Sequence, residues 1–210
     1  MQCLLCEAIT ENKIFSNDSR DFFQCLNCDL IFVPPCFHLN QNEEKKLYDF
    51  HQNNPDNIGY QDFLNQLATP LSDYLTPGMT GLDFGAGPGP TLHKMLEASG
   101  YPMKIYDPIY ANHSENINKE YDFVTSTEVV EHFCDPKTSW HFLIKLIKKQ
   151  GYLGIMTLLH DNVEDFPTWW YKNDLTHVVF YSSKTILWIA DKFKLHILHN
   201  DQTRVVLFQA

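Results

Sequence analysis

The segment Asp83-Phe84-Gly85-Ala86-Gly87-Pro88-Gly89-Pro90 limits the possible folds most, because it joins an apolar run, Gly81-Leu82-Asp83-Phe84, to a helical stretch over 91–99. Glycines at such a junction let the backbone reverse within a few residues and let a ligand lie against it without meeting a Cβ. The surrounding pattern alternates in the same sense. Short apolar runs at 102–106, 121–125 and 152–158 read as buried strands, and 136–149 reads as a helix, with Lys145, Lys148 and Lys149 at its C-terminus. Helices alternating with buried strands predict an α/β chain with a mostly parallel sheet covered on both faces. The end of the chain departs from this: after a helix over 183–193, the runs 195–199 and 204–208 flank Asn200-Asp201-Gln202 and predict an antiparallel hairpin.

Two details of the glycine loop bear on its ligand. A dinucleotide fingerprint needs Gly or Ala at its last position, and here that position is Pro90. Asp83, two residues before the first glycine, would repel a phosphate and suit a cation. Asp107, ending the next strand in Tyr106-Asp107-Pro108, is placed to accept two ribose hydroxyls. The combination describes a nucleoside with a positive charge and no phosphate.

On these residues the chain resembles the class I S-adenosylmethionine-dependent methyltransferases, whose sheet is Rossmann-like. Leu82 to Gly89 is similar to their first motif and Asp107 to their acidic ribose ligand. Residues 121–124 and 128–133 resemble the fourth strand and following turn, and 151–154 the opening of the fifth. The resemblance implies S-adenosylmethionine bound by Asp83, Phe84, Gly85, Ala86, Gly87, Gly89, Asp107, Pro108 and Glu128, with Asp83 toward the amino-acid end. It implies methyl transfer to oxygen or nitrogen of a small-molecule or sugar-linked acceptor. One departure is visible: thirteen residues separate Asp107 from Tyr121, too few for the usual helix and third strand, which leaves the adenine ligand unassigned. A nucleotide-binding oxidoreductase is the competing enzyme class, and Pro90 and Asp83 argue against it.

Residues 1–38 form a separate pattern. Cys3-Leu4-Leu5-Cys6 and Cys25-Leu26-Asn27-Cys28 stand eighteen residues apart, the spacing of two metal-binding knuckles, and four thiolates suit tetrahedral Zn²⁺. Two disulfides or a redox pair are the other readings; no secretory signal favours the first and no flanking βαβ pattern the second. A zinc ribbon of this size would draw much of its folding energy from the metal. Cys36 and Cys134 read as small buried hydrophobes. The ribbon's charge, 2 − 5 = −3 from Lys13 and Arg20 against Glu7, Glu11, Asp18, Asp21 and Asp29, disfavours nucleic acid as its partner and leaves a protein-docking adaptor role open. Together with Tyr48-Asp49-Phe50-His51-Gln52-Asn53, the ribbon resembles that of a bacterial subgroup of small methyltransferases. A helical linker or lid over 39–77 follows, opened by a capping box at Asn40 and Glu43 and running to about His51, where Asn53-Asn54-Pro55-Asp56 breaks it. A second stripe, Phe63, Leu64, Leu67, Leu71, Tyr74 and Leu75, is interrupted at Thr69-Pro70. The methyltransferase domain then occupies 78–210.

Candidate catalytic residues follow the fourth strand. Glu128, Glu131 and His132 have i, i+3, i+4 spacing, which on a helical turn would share one face. The segment resembles that of quinone-precursor O-methyltransferases, which implies a divalent cation such as Mg²⁺ as an alternative to capping and pocket-lining roles. His177, within Asp174-Leu175-Thr176-His177, is the expected base near its ordinary pKa of about 6.5, with Glu131 and His132 orienting the acceptor. Trp169-Trp170-Tyr171 reads as a packed flap or an aromatic wall for the acceptor. Sixteen basic against 26 acidic residues give −10, which disfavours nucleic acid and anionic membranes as partners. With no apolar run long enough to span a bilayer, the expectation is a cytoplasmic protein.

Overall fold

The structure, a computed structural model, describes residues 1–50, 54–160 and 162–210. The N-terminal segment forms strands β1 (Lys13–Ser16) and β2 (Asp21–Gln24), built on the aromatic pieces between the cysteine pairs, and β3 (Ile31–Phe32), just after the second pair. Their sheet extends into the rest of the chain. β3 pairs antiparallel with β8 (Val179–Phe180), a strand embedded in what the sequence presents as a polar insertion. Cys3, Leu5, Leu30 and Phe32 accordingly belong to the same buried cluster as Trp140, Val179 and Tyr181.

Helix α1 (Gln41–Tyr48) opens on the expected capping box, the Asn40 carboxamide accepting from the Asn42 and Glu43 N–H groups while the Glu43 carboxylate accepts from the Asn40 N–H. It ends at Tyr48; the expected end near His51 lies outside the described residues, as do Gln52 and Asn53. Helix α2 (Ile58–Ser72) corrects the sequence expectation, because it runs unbroken through Pro70. Leu64, Leu67 and Leu71 are all buried on its inner face, and their packing outweighs the hydrogen bond that a proline removes in the last turn.

The main sheet has the order β5-β4-β6-β7-β10-β9. Strands β4 (Gly81–Phe84), β5 (Met103–Tyr106), β6 (Tyr121–Thr127) and β7 (Ile147–Met156) are parallel, and β9 (His196–Asn200) and β10 (Val205–Gln209) add the antiparallel hairpin. Alternate residues face opposite layers, as a period of two requires. Val124, Leu153, Ile155, Val206 and Phe208 pack with α4 (Pro136–Lys145), α5 (Ser183–Phe193) and the ribbon. Phe123, Met156, Val205 and Leu207 pack with α2 and α3 (Leu92–Ala98). Between β5 and β6 there is only a 3-10 turn, Ser114–Ile117, so β5 is an edge strand among the described residues.

Helix α4 is shorter than its sequence suggests. Strand β7 begins at Ile147, pairs with Tyr121 and carries Lys148 and Lys149, so only Lys145 belongs to the helix end; Lys148 Nζ instead meets Asp122 Oδ1 at 2.8 Å. Cys36 and Cys134 are both exposed, contrary to expectation. Cys36 lies in the 3-10 turn Pro35–Phe37 and Cys134 lines the cavity at the carboxyl ends of the parallel strands, each away from the buried clusters. No helix among the described residues is long and apolar enough to cross a membrane.

Candidate active site

A cavity of about 720 Å³ opens at the carboxyl ends of β4, β5 and β6, where parallel sheets place their ligands. One wall is the glycine loop. Gly85 and Gly87 have φ of +79° and +66°, a region in which a side chain is strained. A Cβ on Gly85 would also lie 2.4 Å from the Val129 side chain. The loop is stitched to β5 by Gly85 and Ala86 N–H groups donating to the Tyr106 carbonyl at 2.7 and 3.2 Å. Asp83 is buried, accepts from Thr125 Oγ1 at 2.9 Å, and burial pushes its carboxyl up to about 6. Asp107 Oδ2 accepts from the Gly87 N–H at 3.0 Å, while Oδ1 accepts from Ile109 and Tyr110 N–H at 2.8 and 2.9 Å. These three backbone bonds fix the carboxylate at the cavity edge.

Asp83, Phe84, Gly85, Ala86, Gly87, Asp107, Pro108 and Glu128 line the cavity; Gly89 does not, its carbonyl being taken by Thr91 Oγ1 at 3.0 Å. Helix α1 roofs the opposite side with Gln41, Glu44 and Tyr48. It is tied down by polar contacts: Tyr110 Oη donates to Asp49 Oδ1 at 2.7 Å, and Lys45 Nζ lies 5.2 Å over the Tyr110 ring.

The remaining wall comes from the turn after β6 and from the segment 170–177. Glu128 has φ +52° and is followed by a 3-10 turn, Val130–His132, so the helical spacing read from the sequence does not bring Glu128, Glu131 and His132 onto one face. The ligand atoms that converge, within 4.8 Å of one another, are those of Glu131, His132 and His177. Glu131 is fully buried behind the cavity wall, where Tyr171 Oη donates to its Oε1; the same hydroxyl lies 3.3 Å from Glu128 Oε2 and 3.3 Å from Thr157 Oγ1. One phenolic proton serves both carboxylates. Burial first, and then their mutual repulsion for Glu128, pushes Glu128 up to about 8; burial holds Glu131 at about 7. Glu128 Oε1 and Glu131 Oε2 have no hydrogen-bond partner among the described residues.

His132 and His177 meet edge to face, their ring centroids 4.8 Å apart. His132 Nδ1 bonds the Thr176 carbonyl at 3.0 Å, and His177 Nδ1 bonds the Tyr171 carbonyl at 2.9 Å. A ring nitrogen facing a carbonyl must carry the proton, so His177 Nε2 keeps its lone pair, 3.8 Å from Asp174 Oδ2. The expected ordinary pKa does not hold: burial, then the neighbouring His132, drives His177 down to about 3, and burial also lowers His132. Trp170 is exposed at the cavity mouth and Tyr171 is buried in its wall. Sequence reasoning missed Tyr48, Tyr110 and the pivotal Tyr171 hydroxyl; the aromatic run 169–171 was the one visible signal.

The four N-terminal cysteines form a second cluster. Their sulfurs lie within 4.8 Å of one another, with Cys3–Cys28 at 3.7 Å and Cys6–Cys25 at 3.4 Å. Tetrahedral Zn–S bonds of about 2.3 Å place sulfurs roughly 3.8 Å apart. The two knuckles repeat one backbone design: Glu7 and Asp29, each just after a second cysteine, have φ of +62° and +66°, and their N–H groups return to the Cys3 and Cys25 carbonyls at 3.0 and 2.7 Å.

The chain resembles known proteins in part of its sequence and in its fold. Over 80 residues the chain is 30% identical to the ubiquinone biosynthesis O-methyltransferase of Photorhabdus laumondii and 32% to that of Erwinia tasmaniensis, alignments spanning 38% of this chain and only a third of theirs. Its fold is similar to the Burkholderia thailandensis 1,6-didemethyltoxoflavin-N1-methyltransferase solved with its acceptor and S-adenosylhomocysteine (TM-score 0.55, 12% identity, 94% of this chain and 98% of that one). It is similar also to an S-adenosylmethionine-dependent methyltransferase from Archaeoglobus fulgidus (TM-score 0.55, 14% identity, 71% and 94%). The family profile described as "Methyltransferase domain" matches residues 51–200, a span that holds the glycine loop, Asp107, the Glu128–His132 turn and His177. The chain therefore belongs to the methyltransferase-domain family, on the fold of the class I S-adenosylmethionine-dependent enzymes.

Proposed function

We propose that the chain transfers a methyl group from S-adenosylmethionine to an oxygen or nitrogen nucleophile of a small-molecule or sugar-linked acceptor. The observation that carries this reading is one cavity walled on one side by the Asp83–Gly87 loop and Asp107 and on the other by His132, Tyr171, Asp174 and His177. The donor fits these residues: positive-φ glycines let it approach the backbone, Asp107 suits its ribose, and the unpartnered Glu128 Oε1 suits a hydrogen-bond donor. S-adenosylmethionine supplies a methyl group already activated by the sulfonium charge. The protein's task is to align the acceptor, exclude water and receive a proton.

His177 Nε2 serves as the proton acceptor, and because burial holds it at about 3 it takes the proton only as methyl transfer makes that proton strongly acidic. As a neutral imidazole it first accepts a hydrogen bond from the acceptor's O–H or N–H, and the adjacent Asp174 carboxylate balances the charge it gains. Glu131 and His132 position the acceptor from behind this pair. The cavity lining carries Glu44, Asp83, Asp107, Glu128, Asp135 and Asp174 and, among the described residues, no lysine or arginine. That balance supports a neutral or amine-bearing acceptor over a phosphorylated or carboxylated one. The cysteine cluster is read as a structural Zn²⁺ site closed by four protein ligands, which leaves no open position for chemistry.

The test is twofold. Calorimetry should detect S-adenosylhomocysteine binding and no preference for NAD, and a cell extract incubated with protein and methyl-labelled S-adenosylmethionine should yield a labelled small molecule by mass spectrometry. Preferential binding of NAD would move the chain to the oxidoreductase class.

A further inference from the structure

The segment 170–177 carries three side chains of the acceptor wall, Tyr171, Asp174 and His177, yet it contains neither α-helix nor strand beyond the single 3-10 turn Trp170–Asn173. Few of its backbone carbonyls are met by backbone N–H groups as they would be in regular structure, the His177 N–H to the Asp174 carbonyl at 3.3 Å being one that is, so their side-chain partners decide its shape. Most of those partners are supplied by one side chain from the other end of the sequence. Arg20, in the turn between β1 and β2, donates from Nη1 to the carbonyls of Leu175 (3.2 Å) and His177 (2.8 Å), and from Nη2 to those of Lys172 and Asp174. His132 and His177 take the Thr176 and Tyr171 carbonyls. Every carbonyl from 174 to 177 is thus bound by Arg20 or by His132.

Arg20 is only 3% exposed, and no carboxylate forms an ion pair with it among the described residues. Burial lowers it to about 10 against the opposing pull of the Asp174 carboxylate, so it stays charged at neutral pH, compensated by that charge, by carbonyl dipoles and by the Phe22 ring 5.2 Å away. A charge is costly to bury without an ion pair, and a planar fork of donors is the one side chain able to gather four carbonyls at once. The residue choice agrees: of sixteen basic residues only Arg20 and Arg204 are arginines. The ribbon is held in register with this segment by β3–β8 pairing, by the Val33 N–H donating to the Val178 carbonyl at 2.8 Å, and by Ser182 Oγ donating to Asp29 Oδ2 at 2.6 Å, beside the second knuckle.

We propose that Arg20 is a positioning residue for methyl transfer: through it the cysteine ribbon acts as the template that shapes the acceptor wall and aims His177. The assignment rests on the reading of the cavity as a methyl-transfer site. It gives the ribbon a role in the reaction without contact with either substrate.

Hydrogen–deuterium exchange on the full-length protein tests it, with Arg20→Met, which keeps the apolar stem, and Arg20→Lys, which keeps the charge but not the fork. Peptides covering 170–177 should lose protection at least 10-fold in Arg20→Met and less in Arg20→Lys, while peptides covering 81–90 stay protected and S-adenosylhomocysteine affinity changes less than 2-fold. Methyl incorporation into the extract acceptor at saturating S-adenosylmethionine should fall at least 10-fold, with the KM for S-adenosylmethionine unchanged and partial recovery in Arg20→Lys. Unchanged protection over 170–177 would overturn the proposal. So would loss of protection across the whole chain in both variants, which would reduce Arg20 to a general stabiliser. Failure of the wild type to bind S-adenosylhomocysteine would instead sink the methyl-transfer reading and leave the exchange result to stand on its own.

Discussion

The buried carboxyl pair behind the cavity wall makes stability depend on pH in an unusual direction. Glu131 holds its proton to about 7 in the folded chain against an ordinary 4.5. Between those values the native state binds a proton that the unfolded state has released, so this group's contribution is fully present below pH 4.5 and is lost as pH rises through 7. The difference, 7 − 4.5 = 2.5, at about 1.4 kcal/mol per pH unit amounts to about 3–4 kcal/mol, somewhat less of it falling between pH 5 and pH 8. Glu128, held at about 8, extends the same trend upward, and because one Tyr171 hydroxyl serves both, the two lose their protons as a pair. His177 works the other way: held at about 3 against 6.5, it adds stability as pH rises from 3 to 6.5. A difference between variants cancels the His177 contribution and reports the carboxyl pair. Urea unfolding of the ligand-free protein, followed by tryptophan fluorescence at pH 5 and pH 8, should show Glu131→Gln gaining about 3 kcal/mol on the wild type between the two, whatever its offset at pH 5. Parallel stability curves for wild type and variant would refute the reasoning, since Glu131 would then titrate alike in both states.

Three further outcomes are expected. Asp107→Ala removes a charged acceptor for the ribose and for three backbone N–H groups, and should weaken S-adenosylhomocysteine binding by about 1–3 kcal/mol in calorimetry. His177→Ala should lower turnover by a factor of roughly 10²–10⁴ with cofactor affinity nearly unchanged, and a rate near that of the wild type would make His177 a structural residue. Elemental analysis of protein purified without chelator should find one zinc per chain, lost together with folded ribbon signals in Cys25→Ser; paired disulfides and no metal would defeat the zinc assignment.

What the sequence by itself determined is what short-range chemistry controls. The capping box at Asn40 and Glu43, the positive-φ glycines after β4, the paired knuckles and the terminal hairpin each depend on residues a few positions apart, so their signals survive without knowledge of the fold. The missing third strand was also legible, because thirteen residues cannot hold a helix and a strand. Tertiary structure decided the rest. The unbroken course of α2 through Pro70 depends on a buried leucine face whose partners lie in other elements. The left-handed turn at Glu128 undid a helical spacing and exchanged Glu128 for His177 in the cluster with Glu131 and His132. His177 lost its ordinary pKa through burial that no local pattern encodes. Arg20 reads in sequence as one surface charge on an acidic ribbon, and only the pairing of β3 with β8, across nearly 150 residues, delivers its guanidinium to the carbonyls of 172–177. Local propensity fixes what each segment is; the charge state and partners of a buried group are fixed by what the fold brings against it.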